Sequence, residues 1–334
     1  MDTAKPARKQ WIDMARGLCM MAILFFHTEM YYAGHDIVPY VVYVENALII
    51  FFFLSGYLFY KEGKTFSPVY KLKAVVRSLV LPYFIFTALL ALPKHLFHHT
   101  PVSLQTLTDI LTGQASWFVA TLITAELIFS LLLWITKGKT AVLSTLCCAA
   151  FFLMALLNAF YPDFHHYPPY FWHWTNALLF LIFIYLGYLY HLKEKVIHTA
   201  SSYILLFLIL LWIIMKYMEC RNGVFLTAEP IHISSYTLLL VDGCLSAYIV
   251  VSLCRMMRPI GMVCWTGCHS LVYYFICGAV PTLVSFVLNK TGYGYEGHYY
   301  RVVTAFIAVY LIATAITWFI YRYLPFMAGQ KKGN

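Results

Sequence analysis

The stretch RGLCMMAILFFH, from Arg16 to His27, sets a permanent cation and a titratable imidazole in one apolar run. On an α-helix eleven steps rise about 16 Å and turn through about three full turns plus 20°. The two side chains therefore share a face, one near the helix entrance and the other well inside. A neutral imidazole at such a depth can accept a proton, which is what a general base needs. Each residue also has a plainer reading. Arg16 is placed to snorkel to an interface, Asp13 one turn earlier offers it a partner, and His27 could simply bond to a neighbouring helix.

A second stretch, FFFLSGYLF at Phe51–Phe59, carries Ser55 and Gly56 on an aromatic-rich segment, where small residues permit close helix approach. Directly after it come Lys61, Lys64, Lys71, Lys73 and Arg77, with Glu62 as the one acid, ahead of Pro82 and Tyr83. Such a cluster could merely obey the positive-inside rule, or it could equally hold phosphates. With Arg16 it would make a cationic mouth below His27, open to a phosphate-rich donor with a long thin arm. Glu29, Glu45, Asn46, Glu126 and Asp242 also fall in or beside apolar runs; each taken singly reads as a structural hydrogen-bond partner. No serine or cysteine has an evident base beside it in sequence, so direct transfer is favoured over a covalent intermediate, with Ser55 the one candidate left open. The nine cysteines show no paired CxxC, and the outer histidines His95, His98, His99, His165, His166 and His173 show no helical ligand spacing, so no disulfide framework and no metal site are expected.

The elements that must position these residues are membrane spans. The chain is 62% hydrophobic and only 11% charged, with mean hydropathy +0.73, outside the range of soluble domains. Ten runs approach the length of a bilayer crossing: Met14–Tyr32, Val41–Phe59, Leu79–Phe97, Ser116–Ile135, Ala141–Phe160, Asn176–Tyr190, Ser202–Tyr217, Ser234–Leu253, Met262–Leu288 and Val302–Tyr323. The ninth is long enough to hide a break, and Pro281 interrupts it. With the amino terminus inside, 18 of the 23 Lys and Arg fall on the cytoplasmic side and 5 outside, Lys94, Lys216, Arg221, Lys290 and Arg301. The net charge of +9 is thus explained by topology and contact with anionic lipid, without a nucleic-acid partner. The first span, long and followed by no small-residue cleavage site, is not expected to be a removable signal. The expectation is an all-α polytopic protein of about ten transmembrane helices with both termini cytoplasmic. One membrane domain fills 1–334, with a cytoplasmic N-terminal segment at 1–10 and a C-terminal tail at 325–334.

These residues resemble a known family. WIDMARG at Trp11–Gly17, the spacing from Arg16 to His27, FFFLSGY at Phe51–Tyr57 and the basic run into LVLPYF at Leu79–Phe84 are similar, in order, to segments of the acyltransferase-3 family of integral membrane acyltransferases. So are SWFVATL at Ser116–Leu122, YLGYL at Tyr185–Leu189 and SLVYY at Ser270–Tyr274; the branch it looks like is that of fucose 4-O-acetylase. The chain departs from that pattern in three places. Lys73 and Arg77 are one residue further apart than an R-x-x-R pair, Ala47-Leu48-Ile49 stands where many relatives have His-Met-Pro, and Cys277 holds a place that is commonly histidine.

The resemblance implies a multi-pass protein of the cell membrane, the bacterial inner membrane in particular. It would move an acetyl group from cytoplasmic acetyl-CoA, a donor substrate and not a tightly bound cofactor, to a hydroxyl of a glycan or lipid-linked sugar. His27 would be the base and Arg16 would bind or orient the acyl-CoA. Lys73 and Arg77, with Lys71 and Tyr83 of the same run, would contact the donor, leaving Ser55, Trp117, Glu126 and Asn46 as candidates for substrate contact. Aromatic outer segments, Tyr31, Tyr32, Tyr40 and Tyr43, then 165–174 and 293–300, suit a sugar face as well as an interfacial belt. A polytopic transporter with Arg16, His27, Glu126 and Asp242 along its path, or a non-catalytic acyl-CoA sensor or polysaccharide-export partner, is the alternative. Inverted repeats with paired broken helices, which a transporter would favour, are not seen in the sequence.

Overall fold

A computed structural model describes residues 8–61, 66–97, 103–161, 171–194, 202–229 and 231–330, the side chains of 92–97 excepted. The polar ends of the expected domain at 1–7 and 331–334, and the histidines His98, His99, His165 and His166, lie outside the described residues. The first helices are α1 (Gln10–Ala33), α2 (Tyr40–Tyr57), α3 (Pro68–Val75), α4 (Leu81–Phe97), α5 (Leu104–Thr112), α6 (Trp117–Ile135) and α7 (Thr140–Phe160). They are followed by α8 (Trp174–Leu192), α9 (Ser202–Arg221), α10 (Tyr236–Met256), α11 (Gly261–Cys268), α12 (Ser270–Ile276), α13 (Ala279–Lys290) and α14 (Tyr299–Tyr323). Strands β1 (Leu226–Ala228) and β2 (Ile231–Ile233) form an antiparallel hairpin between α9 and α10, which the sequence did not suggest.

Each of the ten expected runs lies on helix. Among the described residues eight helices are long and apolar enough to cross a membrane, and α12 with α13, bent by 50°, makes up to nine. The first helix is not among the eight, because Arg16, His27 and Glu29 dilute its apolar character. The ninth run breaks at His269 and again at Cys277–Gly278, ahead of Pro281. That proline sits in the first turn of α13, where a helix needs no N–H donor. Between α3 and α4 the helix passes through a π turn, Val76–Val80. Pro82 brings no N–H to the ladder, and just before it the Leu81 N–H reaches back five residues to the Val76 carbonyl.

Two glycine crossings set the helix spacing around the site. A Cβ on Gly56 would lie 1.9 Å from the Ile184 carbonyl oxygen, and one on Gly187 1.8 Å from that of Phe53, so α2 and α8 touch backbone to backbone. Gly17 and Gly267 do the same for α1 and α11, at 2.0 Å from Val263 O and 1.7 Å from Asp13 O. Small residues permit this approach within a bilayer, where packing holds helices together in place of the hydrophobic effect.

At one end of the bundle the start of α1 meets the ends of α2, α8 and α10. Lys9 bonds to the Tyr57 hydroxyl, which donates to Glu194 at 2.8 Å, and Arg255 forms an ion pair with the same carboxylate. Arg255 also lies over the Trp11 ring at 5.1 Å. The last turn of α14 reaches this end through Tyr321, whose ring meets His269 edge-on at 4.2 Å, and beyond it the Gly329 carbonyl accepts from Arg77 at 2.8 Å. The ends that alternation of spans puts together are thus together.

Candidate active site

The continuous α1 carries Arg16 and His27 as half-buried side chains on one face. Asp13, the partner that spacing offered to Arg16, is taken by Arg8, whose guanidinium grips both carboxylate oxygens at 2.6 and 2.8 Å. Arg16 is left with no hydrogen bond or ion pair to any described residue, and so is His27. An interior cation without a partner is costly in a membrane. Around His27 the contacts are aromatic: Phe26 edge-on at 5.7 Å, Tyr31 stacked at 6.2 Å, and Tyr40 against Phe26 at 5.2 Å.

The basic run divides at this site. Lys71 turns inward, its Nζ 2.9 Å from Glu126 Oε2 and 3.9 Å from the Phe59 ring centroid. Glu126 in turn accepts from Ser55 Oγ, so α3, α6 and α2 meet at one carboxylate. Arg16 makes no hydrogen bond or ion pair to that carboxylate, and α1 and α6 are not closely packed. Lys73 and Arg77 point outward and are exposed, Arg77 held by the Gly329 carbonyl.

The remaining expected residues are placed elsewhere. Tyr83 is fully buried, its hydroxyl donating to the Ile110 carbonyl at 3.0 Å and its ring 5.2 Å from Trp172. Trp117 is half-buried at the first turn of α6 beside Phe118. Asn46 belongs to a second polar cluster. With its amide turned to suit both neighbours it donates to Asp242 at 2.7 Å and accepts from Lys216 at 3.1 Å.

That second cluster also holds one of the five cations counted as outer, Lys216. It is buried, 2.5 Å from Asp242 and 2.9 Å from Glu219, and donates to the Val41 carbonyl at 2.7 Å. The helix runs on to Arg221, which puts Lys216 inside it. The signal was legible: a lysine and a glutamate three apart near the end of one run, with an aspartate in the middle of the next, are the pattern of paired intramembrane charges. No group of three or more His, Cys, Asp or Glu among the described residues is arranged to hold a metal.

The acyltransferase domain of the acyltransferase-3 family matches residues 9–261, which takes in the Arg16–His27 face, the basic run and Glu126. The chain belongs to the acyltransferase-3 family. Comparison with curated proteins and with solved structures found no match. Within that matched region α1 carries a cation and an imidazole about 16 Å apart along one face, neither with a hydrogen-bonding or ionic partner among the described residues. Ser55, by contrast, is two residues from the end of α2 at the Lys9 end of the bundle, while His27 is seventeen residues into α1 from that end. By the helix rise the Ser55 hydroxyl, which has a carboxylate beside it, lies about 20 Å below the imidazole.

Proposed function

We propose that this acyltransferase moves an acetyl group from cytoplasmic acetyl-CoA to a hydroxyl of a glycan or lipid-linked sugar that enters from the opposite side. The observation that carries the reading is the Arg16–His27 face, two polar groups on one helix without hydrogen-bonding or ionic partners among the described residues, separated by a span comparable to an extended pantetheine arm. Arg16 and Lys71 would hold the inner phosphates and the exposed Lys73 and Arg77 the outer ones. The thioester would then lie beside His27, where the imidazole takes the acceptor proton as the oxygen attacks the carbonyl, and the proton passes on to the departing thiolate. Ten crossings with both termini inside follow if α1 and the bent α12–α13 pair each cross once.

The experiment is release of CoA thiol from acetyl-CoA by the purified protein, with and without a soluble sugar acceptor. Release that depends on the acceptor, together with an acetyl ester on the sugar by mass spectrometry, is the expected result. Absence of both, from a folded preparation offered a range of glycans, would count against the acetyl-CoA reading.

A further inference from the structure

Glu126 sits where a substrate-binding or catalytic carboxylate would be unwelcome. It is buried, and it is bonded to Lys71 at 2.9 Å and to Ser55. A fixed anion among the cations that are to receive phosphates opposes the donor by like-charge repulsion. It also solves a problem of the donor-free protein, since buried cations without counter-charge are costly. We propose that Glu126 is a resident counter-anion of the donor site: it neutralises Lys71 when the site is empty, gives Lys71 up to the incoming phosphates, and takes it back to expel spent CoA. This rests on the acyl-CoA reading above. The Ser55 hydroxyl holds the carboxylate in place during the exchange, because its bond to Glu126 does not depend on Lys71.

The sign of the effect separates this role from the ordinary ones. Calorimetric titration of the purified full-length protein with free CoA is expected to show Glu126→Gln binding at least about fivefold more tightly than wild type, from the removed repulsion. Turnover should become more sensitive to inhibition by product CoA. The double variant Lys71→Gln/Glu126→Gln removes both charges of the pair together, so it serves if the single variant does not fold, and it should bind CoA more tightly than Lys71→Gln. Equal or weaker CoA binding by Glu126→Gln at unchanged melting temperature, or a double variant no tighter than Lys71→Gln, overturns the counter-anion role and leaves the donor reading standing. If wild type itself binds no CoA, the donor reading fails and this role falls with it.

Discussion

Arg16 and His27 occupy one face of α1, about three turns apart, and neither has a hydrogen-bonding or ionic partner among the described residues. Every other charged side chain of that helix is engaged: Asp13 by Arg8, and Glu29 by the Tyr299 hydroxyl at 3.0 Å.

Replacing Arg16 with alanine should raise the donor KM and lower kcat together, since a thioester misplaced by about 1 Å costs around a hundredfold. Arg16→Lys keeps the charge without the planar fork, and partial recovery would mark a point-charge role. Neutralising the exposed Lys73 and Arg77 together should act on donor KM alone, by about tenfold or more, with acceptor KM unmoved. Steady-state kinetics with each substrate varied in turn checks both.

The orientation can be read by one-sided cysteine labelling in sealed vesicles, in a functional background without native cysteines. Lys139→Cys, between α6 and α7, should react from the cytoplasmic side and Phe171→Cys, ahead of α8, from the other. Labelling of both from one side would contradict the alternation of spans.

Much of this helical architecture was legible in the sequence, because long apolar runs are properties of single segments. The Arg16–His27 face could be read for the same reason, since it needs only the helix repeat. What lay beyond reach was pairing between segments. Nothing in the local sequence says that Asp13 pairs with Arg8 and not Arg16, that Lys71 and not Lys73 turns inward, or that Ser55 and Glu126 meet. The hairpin Leu226–Ile233 was missed because its strands are three residues long, too short for an alternating pattern to show. It is fixed by Asn176, whose amide donates to the Ala228 carbonyl at 2.9 Å.

The α2–α8 crossing should tolerate no side chain. Gly56→Ala sets a methyl 1.9 Å from the Ile184 carbonyl oxygen, backbone that can only separate. Overpacking of this kind costs about 1–3 kcal/mol, and Gly56→Val should cost more. A lowered melting temperature in detergent, in the order wild type, alanine, valine, checks it.

Glu194 gives a pH dependence outside the spans. Burial pushes its carboxyl up, but the hydrogen bonds from Tyr57 and Arg255 and the charge of Lys9 outweigh this and hold it below the usual glutamate value. An acid with a depressed folded pKa contributes stability that is whole above its unfolded value, about 4.3, and is lost as pH falls through the folded one. The melting temperature of Glu194→Gln should therefore lie below wild type at neutral pH, and the gap should close as pH drops below about 4. A gap of constant size down to that pH would mean that the carboxylate charge contributes nothing to the lock.

The most direct test of the account is the turnover of His27→Gln with its donor affinity measured on the same preparation. General-base catalysis contributes about 10²–10⁴ in rate, so acceptor-dependent CoA release should fall by at least about a hundredfold while CoA binds with wild-type affinity, because Arg16 and the basic run are untouched. A folded His27→Gln protein that turns over at near the wild-type rate would remove the imidazole from the chemistry and contradict the account at its centre.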